Sequence, residues 1–541
     1  MEGRTVLQWD KEDCADAGLV KFDLLGLGML TALRRSFDWL NTSGVEHNGR
    51  PLDLYNLPED DPRVYDLLCN ADTVGVFQVE SRAQMNTLPR LKPREFYDIV
   101  IEVALIRPGP IQGKAVNPYL NRKNGKEKVT YLHPLMEDAL KKTLGVPLFQ
   151  EQLMQIAVDV AGFTPGQADE LRRAIGAKRS AERMAALKPA LFEGMSARGV
   201  SLEVQEQVFT QLQGFAEFGF PESHAFSFAY LVYASAWLKV HYPEHFYASI
   251  LASQPMGFYS PSSLVEDARR HGVTVTPPSV THSKVETAPM PSTRMLKQYT
   301  TLVDPHPNLE VRLGLETVKG LGSGAKQIVE ARENGPFASI AELAARANLT
   351  RSQVEKLASA GALADLGISR REGLWAAGAV VADDWHQPFL PGTELGMKAP
   401  NLPVMTAQEE LVADYDGMGL SPDLHPMNFA RQYLNERGVI PLAALPDAPC
   451  DRRISVAGLI THRQRPGTAR GTTFLSLEDE TGLGNVICSP GLWRRYRSVA
   501  LEANAMVISG RVEKGDGAVA LVADRLETLD VPLRTRSRDF R

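Results

Sequence analysis

The run Gly18-Leu19-Val20-Lys21-Phe22-Asp23-Leu24-Leu25-Gly26-Leu27 stands almost at the start of a 541-residue chain. Val20, Phe22 and Leu24 alternate with Lys21, Asp23 and Leu25, the pattern of a half-buried strand. Lys21 and Asp23 then share a face. Two readings follow from that spacing: an exposed strand face with a surface ion pair, or a metal-holding carboxylate beside a phosphate-facing lysine. The remaining sequence has to choose between them.

At 541 residues, with 23% charged and 44% hydrophobic residues, the chain has ordinary globular composition and room for roughly three to five domains. The net charge of -6 gives no overall basicity, although a local basic face can sit on an acidic whole. Cys14, Cys69, Cys450 and Cys488 form no CxxC pair, which argues against a disulfide framework or zinc site and fits a reducing compartment. No charged-then-apolar leader and no apolar run of about 18 residues is found, so a cytoplasmic protein without a membrane span is expected. A domain rarely opens on its central strand. The chain is therefore expected to be the C-terminal part of something longer.

Around the opening strand, residues 11–17 read as a short acidic helix and 29–40 as a helix. Asp10, Asp13 and Asp16 fall on one helical face, usually a solvated one. Helical periodicity dominates 63–250, with VFQVESR at 76–82 and RPGP at 107–110, where a rigid turn leaves Arg107 at a helix break. Arg107 could equally cap a helix end. DELRRAIGAKR at 169–179 groups Arg172, Arg173, Lys178 and Arg179. FAEFGFPESHAFSFAY at 215–230 is an aromatic turn leading into a long apolar helix, with His224 either a satisfied histidine or a ligand-facing one. Between Pro89 and Lys128, cations outnumber acids, the footprint expected for a polyphosphate partner.

Residues 255–305 read as a connector with some sheet. VKGLGSGAKQIVEAR at 318–332 has the form of a helix-hairpin-helix. In such a turn, Gly320, Gly322 and Gly324 let backbone amides approach a DNA phosphate without reading bases, flanked by Lys319 and Lys326. A plain helical turn is the alternative, weakened by a second helical pair over 349–367. Residues 376–450 read as a Pro-rich linker with a packed piece at 407–415. Five short strands follow at 454–460, 472–477, 485–488, 505–512 and 518–523, with a helix at 493–501, which fits an OB-type barrel. The basic loop HRQRPGTAR at 462–470 places Arg463, Arg465 and Arg470 where such barrels bind single strands; a barrel used for protein contacts is the alternative. Residues 534–541 read as a disordered basic tail.

Taken in order, GLVKFDLLGL, VFQVESR, RPGP, FQEQLMQ (149–155), LRRAIG (171–176) and the stretch 215–261 resemble the C-family bacterial DNA polymerases of the polymerase III alpha subunit type. The last stretch is similar to their error-prone, damage-induced branch. The resemblance implies a multidomain α+β protein. Its parts would be the C-terminal part of a nucleotidyltransferase-type palm (1–50), mainly helical fingers (51–254) and a clamp- and duplex-binding region with tandem helix-hairpin-helix (255–375). A linker (376–450), an OB-fold (451–530) and a basic tail (531–541) would follow.

The same resemblance implies roles. Asp23 matches the third of three palm aspartates that hold two magnesium ions, and Lys21 a lysine facing the triphosphate. Arg172 and Arg173, with Arg107, match the cations near the incoming dNTP, and Ser223 and His224 a position near its sugar. Primer–template DNA is the implied substrate, and a sliding clamp and accessory mutagenesis proteins are the implied partners. The family's Asp-x-Asp pair precedes the third aspartate, and no such pair lies in the 22 residues before Asp23. One carboxylate cannot organise two magnesium ions, so this chain alone is not expected to extend a primer. A DNA-binding remnant without catalysis, or one subunit of a split polymerase, is the alternative to a translesion polymerase.

Overall fold

The computed structural model describes all residues except 1–4, 6, 10, 21–25, 108–115, 175–179, 217–219, 293–301, 381–398, 451, 516–517, 532, 534–536 and 541. Lys21 and Asp23, and with them the centre of the opening strand, lie outside the described residues.

The helical body is organised around Glu222–His241. From Leu231 to Val240 every residue of this helix is buried, because its sequence is apolar on all sides. Leu27–Thr42 packs into the same core through Met29, Ala32, Leu33, Phe37 and Leu40, one face at three- and four-residue spacing. That helix shares one core with Pro62–Cys69, Phe96–Leu105 and Glu222–His241. Residues 136–212 build a separate helical core around Leu153, Leu171, Leu191 and Leu212.

The connector expected at 255–305 is more ordered than its Pro, Ser and Thr content suggested. Pro261–Arg270 is a helix, started by a Ser260 cap and proline in its first turn. Val275–Thr276, Leu309–Arg312 and Ala288–Pro291 form a small mixed sheet. The helices Gly324–Arg332, Ile340–Arg346 and Arg351–Ser359 follow, the last with a Thr350–Gln353 capping box.

The expected linker is packed over most of its described length. Ala407–Gly417 is a helix, and Met427, Leu434 and Leu442 are buried in short helical turns against the barrel. The barrel strands are Arg453–Gln464, Thr473–Asp479, Gly482–Cys488, Ala505–Gly515 and Ala518–Thr528. The first pairs antiparallel with the second and the fourth, and the third runs parallel to the fifth, which closes the sheet. Pro490–Arg495 and Arg497–Glu502 lie between the third and fourth strands, the expected OB arrangement. In the tail, expected to be disordered, Arg538–Phe540 adds a parallel strand beside His462–Gln464.

The barrel docks on the helical body through its outer face. Leu475 and Leu477 point into the barrel core, so Phe474 and Glu478 point outward, as strand alternation requires. Arg82, at the start of Arg82–Leu91, stacks over Phe474 at 4.6 Å and donates to the carbonyls of Val486 at 2.9 Å and Leu475 at 3.4 Å. Glu478 accepts from Ser263 at 2.8 Å and from Arg270 at 3.3 Å. His462 stacks on Phe258 with ring centroids 4.2 Å apart.

Candidate nucleotide and nucleic-acid sites

Four motifs distant in sequence meet at the start of the central helix. The Arg107 guanidinium lies 3.6 Å over the Phe220 ring. Phe220 meets His224 edge-on at 5.2 Å, His224 lies 4.2 Å from Phe228, and Phe228 meets Phe77 edge-on at 5.2 Å. The Gln150 amide donates to the Phe220 carbonyl at 3.0 Å, and the Glu222 amide to Glu151 at 2.9 Å. Tyr97 donates to the other side of Glu222 at 2.8 Å. Phe77, Arg107, Gln150, Glu151, Phe220, Glu222, His224 and Phe228 are thus one packed unit.

Within that unit Arg107 is half-buried, and one of its terminal nitrogens is buried without a partner among the described residues. Burial pushes its guanidinium below the ordinary arginine range. A cation held on an aromatic ring with a donor to spare is suited to an anionic ligand. Ser223 is exposed, and its carbonyl accepts from Ser227. Arg172 and Arg173 end the helix Pro165–Ala174, both exposed, and both pair with Asp169 one turn back, at 2.8 and 2.9 Å. Lys178 and Arg179 lie outside the described residues. Several cations of the expected basic region are neutralised: Arg94 by Asp66, Lys123 by Asp98 and Arg122 by Glu127. Sequence order does not reveal these pairings.

The glycine turn has the backbone that its residues allow. Gly320 has φ +82° and Gly322 φ +54°, left-handed values costly for other residues. Gly324 is buried at the helix start, where a side chain would press on Leu321 and Gln353. Gln353 donates to the Leu321 carbonyl at 2.8 Å and ties the second hairpin to the first. Lys326 is exposed beside this turn. Lys319, expected to face DNA, has its ammonium on the carbonyls of Tyr415 at 2.8 Å and Asp416 at 3.3 Å, capping the end of Ala407–Gly417.

The basic loop of the barrel is shorter than expected, because the first strand continues to Gln464. Arg463 is consequently a buried strand residue. It donates to the carbonyls of Ala500 at 2.9 Å and Ala503 at 2.6 Å, and to Ser537. Its guanidinium ties the barrel together and does not face solvent as the sequence reading supposed. Arg465 and Arg470 are exposed.

One buried cluster escaped the sequence reading. Lys239 carries its ammonium between Asp72, at 3.0 Å, and Asp267, at 2.9 Å, and also reaches the carbonyls of Asp72 and Val74. His271 lies 2.6 Å from Asp72, and Tyr247 donates to Asp267 at 2.7 Å. Burial pushes Asp72 up, but Lys239 and His271 outweigh it and hold the carboxyl well below its ordinary value. The signal available was a single lysine in an otherwise apolar helical run. Asp72, Asp267 and His271 have ligand atoms close enough for a metal, and are the described group with that spacing. They do not fit one, because the lysine ammonium already lies between the two carboxylates.

With these sites located, similarity to known proteins can be placed on them. Residues 29–199 match the model of the bacterial DNA polymerase III alpha subunit finger domain, and residues 272–373 that of a helix-hairpin-helix motif. The chain is therefore similar, over these segments, to the bacterial DNA polymerase III alpha-type family. Within it, the error-prone DNA polymerase of Mycolicibacterium paratuberculosis is 52% identical over 548 residues, which is 100% of this chain and 48% of that protein. The error-prone DNA polymerase of Nocardia farcinica is 53% identical over 552 residues, 100% of this chain and 46% of that protein. That of Corynebacterium glutamicum is 52% identical over 544 residues, again 100% of this chain, and 49% of that protein. The chain thus spans about half the length of the curated relatives it matches. Among the described residues no helix is long and apolar enough to cross a membrane.

Proposed function

We propose that this chain works as part of an error-prone DNA polymerase, joining dNTPs to a primer 3′-hydroxyl in damage-induced mutagenesis and translesion synthesis. The observation that carries the reading is similarity to error-prone polymerases along the whole chain, with the fingers motifs packed as one unit around Arg107 and His224. In this reading Arg107, Arg172 and Arg173 neutralise the triphosphate, and Ser223 and His224 sit by the sugar. Lys21 faces the phosphates, and Asp23 is a metal-holding carboxylate. The turn at Gly320, Gly322 and Gly324, with Lys326 beside it, holds duplex phosphates, and the barrel attends the single strand. Magnesium, when bound, supplies charge neutralisation at the reacting phosphate. The buried Asp72–Asp267–His271 cluster is filled by the Lys239 ammonium and takes no part in this chemistry. A sliding clamp, accessory mutagenesis proteins and a cytoplasmic setting belong to the same proposal.

The test is magnesium-dependent primer extension by this chain supplied with the portion of a relative that it does not span. Extension by the wild-type assembly, abolished by Asp23→Asn, supports the reading. Extension at an undiminished rate by the Asp23→Asn assembly contradicts it, as does DNA binding with no extension in any combination.

A further inference from the structure

The central helix changes character along its length. From Leu231 to Val240 every residue is buried, whereas Ser223, Ser227 and Tyr230 are exposed at four- and three-residue spacing, one strip of its opening turns. The positions beside the strip turn into protein on both sides. His224 lies on Phe228, which meets Phe77, and Phe226 lies against Phe96 and Tyr97. The strip is thus an open floor between two aromatic walls.

Tyr230 closes the far end of this floor. It is 51% exposed, yet its ring is held 4.8 Å from Phe96, which also meets Phe226 at 6.0 Å and Tyr233 at 6.3 Å. Among the described residues its hydroxyl has no partner. An exposed ring fixed from one side is a platform on which a base can stack. In the middle of the floor Ser227 donates back to the Ser223 carbonyl at 3.0 Å, so no hydroxyl hydrogen is left there to favour one base over another. The order along the helix follows the parts of a paired nucleotide. Arg107 on Phe220 precedes the helix, Ser223 and His224 open it, Ser227 lies one turn on, and Tyr230 almost one turn further. From Ser223 to Tyr230 is seven residues, about 10 Å of helix rise, which is room for a nucleobase and the base paired with it. With the triphosphate on Arg107 and the sugar at Ser223 and His224, the incoming base falls at Ser227 and its template partner at Tyr230. Stacking suits a templating position, because every base has a π-face and none is excluded.

We propose that Tyr230 stacks on the templating base, and that the strip from Ser223 to Tyr230 seats the nascent base pair. The proposal deepens the polymerase reading and rests on it for the places of the triphosphate and the sugar. Stacking on Tyr230 can nevertheless be measured without catalysis.

The experiment places 2-aminopurine at the templating position of a primer–template and reads its fluorescence on binding to the full chain, assembled with the portion of a relative that it does not span. Wild type should quench the probe and Tyr230→Ala should not, whereas Tyr230→Phe, which keeps the ring, should restore the quenching. In primer extension by the same assembly, Tyr230→Ala should lower kcat/KM for each correct dNTP by roughly tenfold. That gap from wild type should vanish opposite an abasic site, where no base remains to stack. Equal quenching by wild type and Tyr230→Ala would overturn the proposal, as would a defect that persists opposite the abasic site. So would weaker assembly of the two portions in Tyr230→Ala, the result expected if protein covers the strip. The expected quenching pattern without extension by wild type on any template speaks against the polymerase reading and not against the stacking role of Tyr230.

Discussion

Replacing Lys239 by methionine removes one charge from the centre of the helical body and keeps most of the stem volume. The Lys239 side chain is 0% exposed, Asp267 5% and Asp72 22%. If this were a surface pair, its removal would cost about 0–1 kcal/mol. Burial decides otherwise. Deletion strands two carboxylates facing each other, with Asp267 left to Tyr247 and Arg270 and Asp72 to His271. Removing one partner of a buried pair costs about 3–5 kcal/mol, chiefly because the remaining charge is uncompensated. Lys239→Met should therefore lower the urea midpoint of the helical body by on the order of 1 M, read by circular dichroism. Hydrogen exchange should quicken along Glu222–His241. Adding Asp72→Asn and Asp267→Asn should recover a large part of the loss, since the cost lies in unpaired charge. A Lys239→Met midpoint indistinguishable from wild type, or no recovery in the triple variant, would refute this reasoning.

The other expectations concern the same body and its attachments. Burial lowers the His271 pKa, but Asp267 and Asp72 more than offset it, so the folded value is raised. That stabilisation is complete below the unfolded value of about 6.5 and is lost as pH rises through the folded value. The decline in urea midpoint above that pH should be reduced in His271→Gln. Gly322→Ala forces a side chain into left-handed backbone, costing about 1–2 kcal/mol; it should lower the melting temperature and weaken duplex binding, with Lys326→Ala weakening binding alone. Arg82→Ala removes the guanidinium from the barrel strands, and burial has already pushed that group down to about 10. Small-angle scattering should then show a larger radius of gyration, and protease cleavage between residues 399 and 450 should quicken.

Local pattern carried much of the fold. The all-apolar helix, the glycine turn and the five alternating strands each follow from the period and residue types of a short segment. Pairing across long separations was not legible. Lys239 and Asp72 are 167 residues apart, and neither segment announces the other. The helix Pro261–Arg270 hid in a polar segment because its Ser, Glu, Asp and Arg residues read as solvent-facing, yet Ser263, Glu266 and Asp267 are buried against partners. Arg463 and Lys319 show the same limit. A basic residue beside a loop reads as a free cation until the carbonyls that hold it are placed in space. At the candidate nucleotide site the motifs were legible, but their convergence on the Phe220 ring was not.

Steady-state extension by the assembled polymerase carrying Arg172→Ala/Arg173→Ala measures most directly whether this helical body grips the incoming nucleotide. KM for dNTP should rise by roughly tenfold or more, while affinity for primer–template stays at the wild-type value. Unchanged KM for dNTP, with wild-type turnover, would contradict the assignment of the fingers as the nucleotide-holding element.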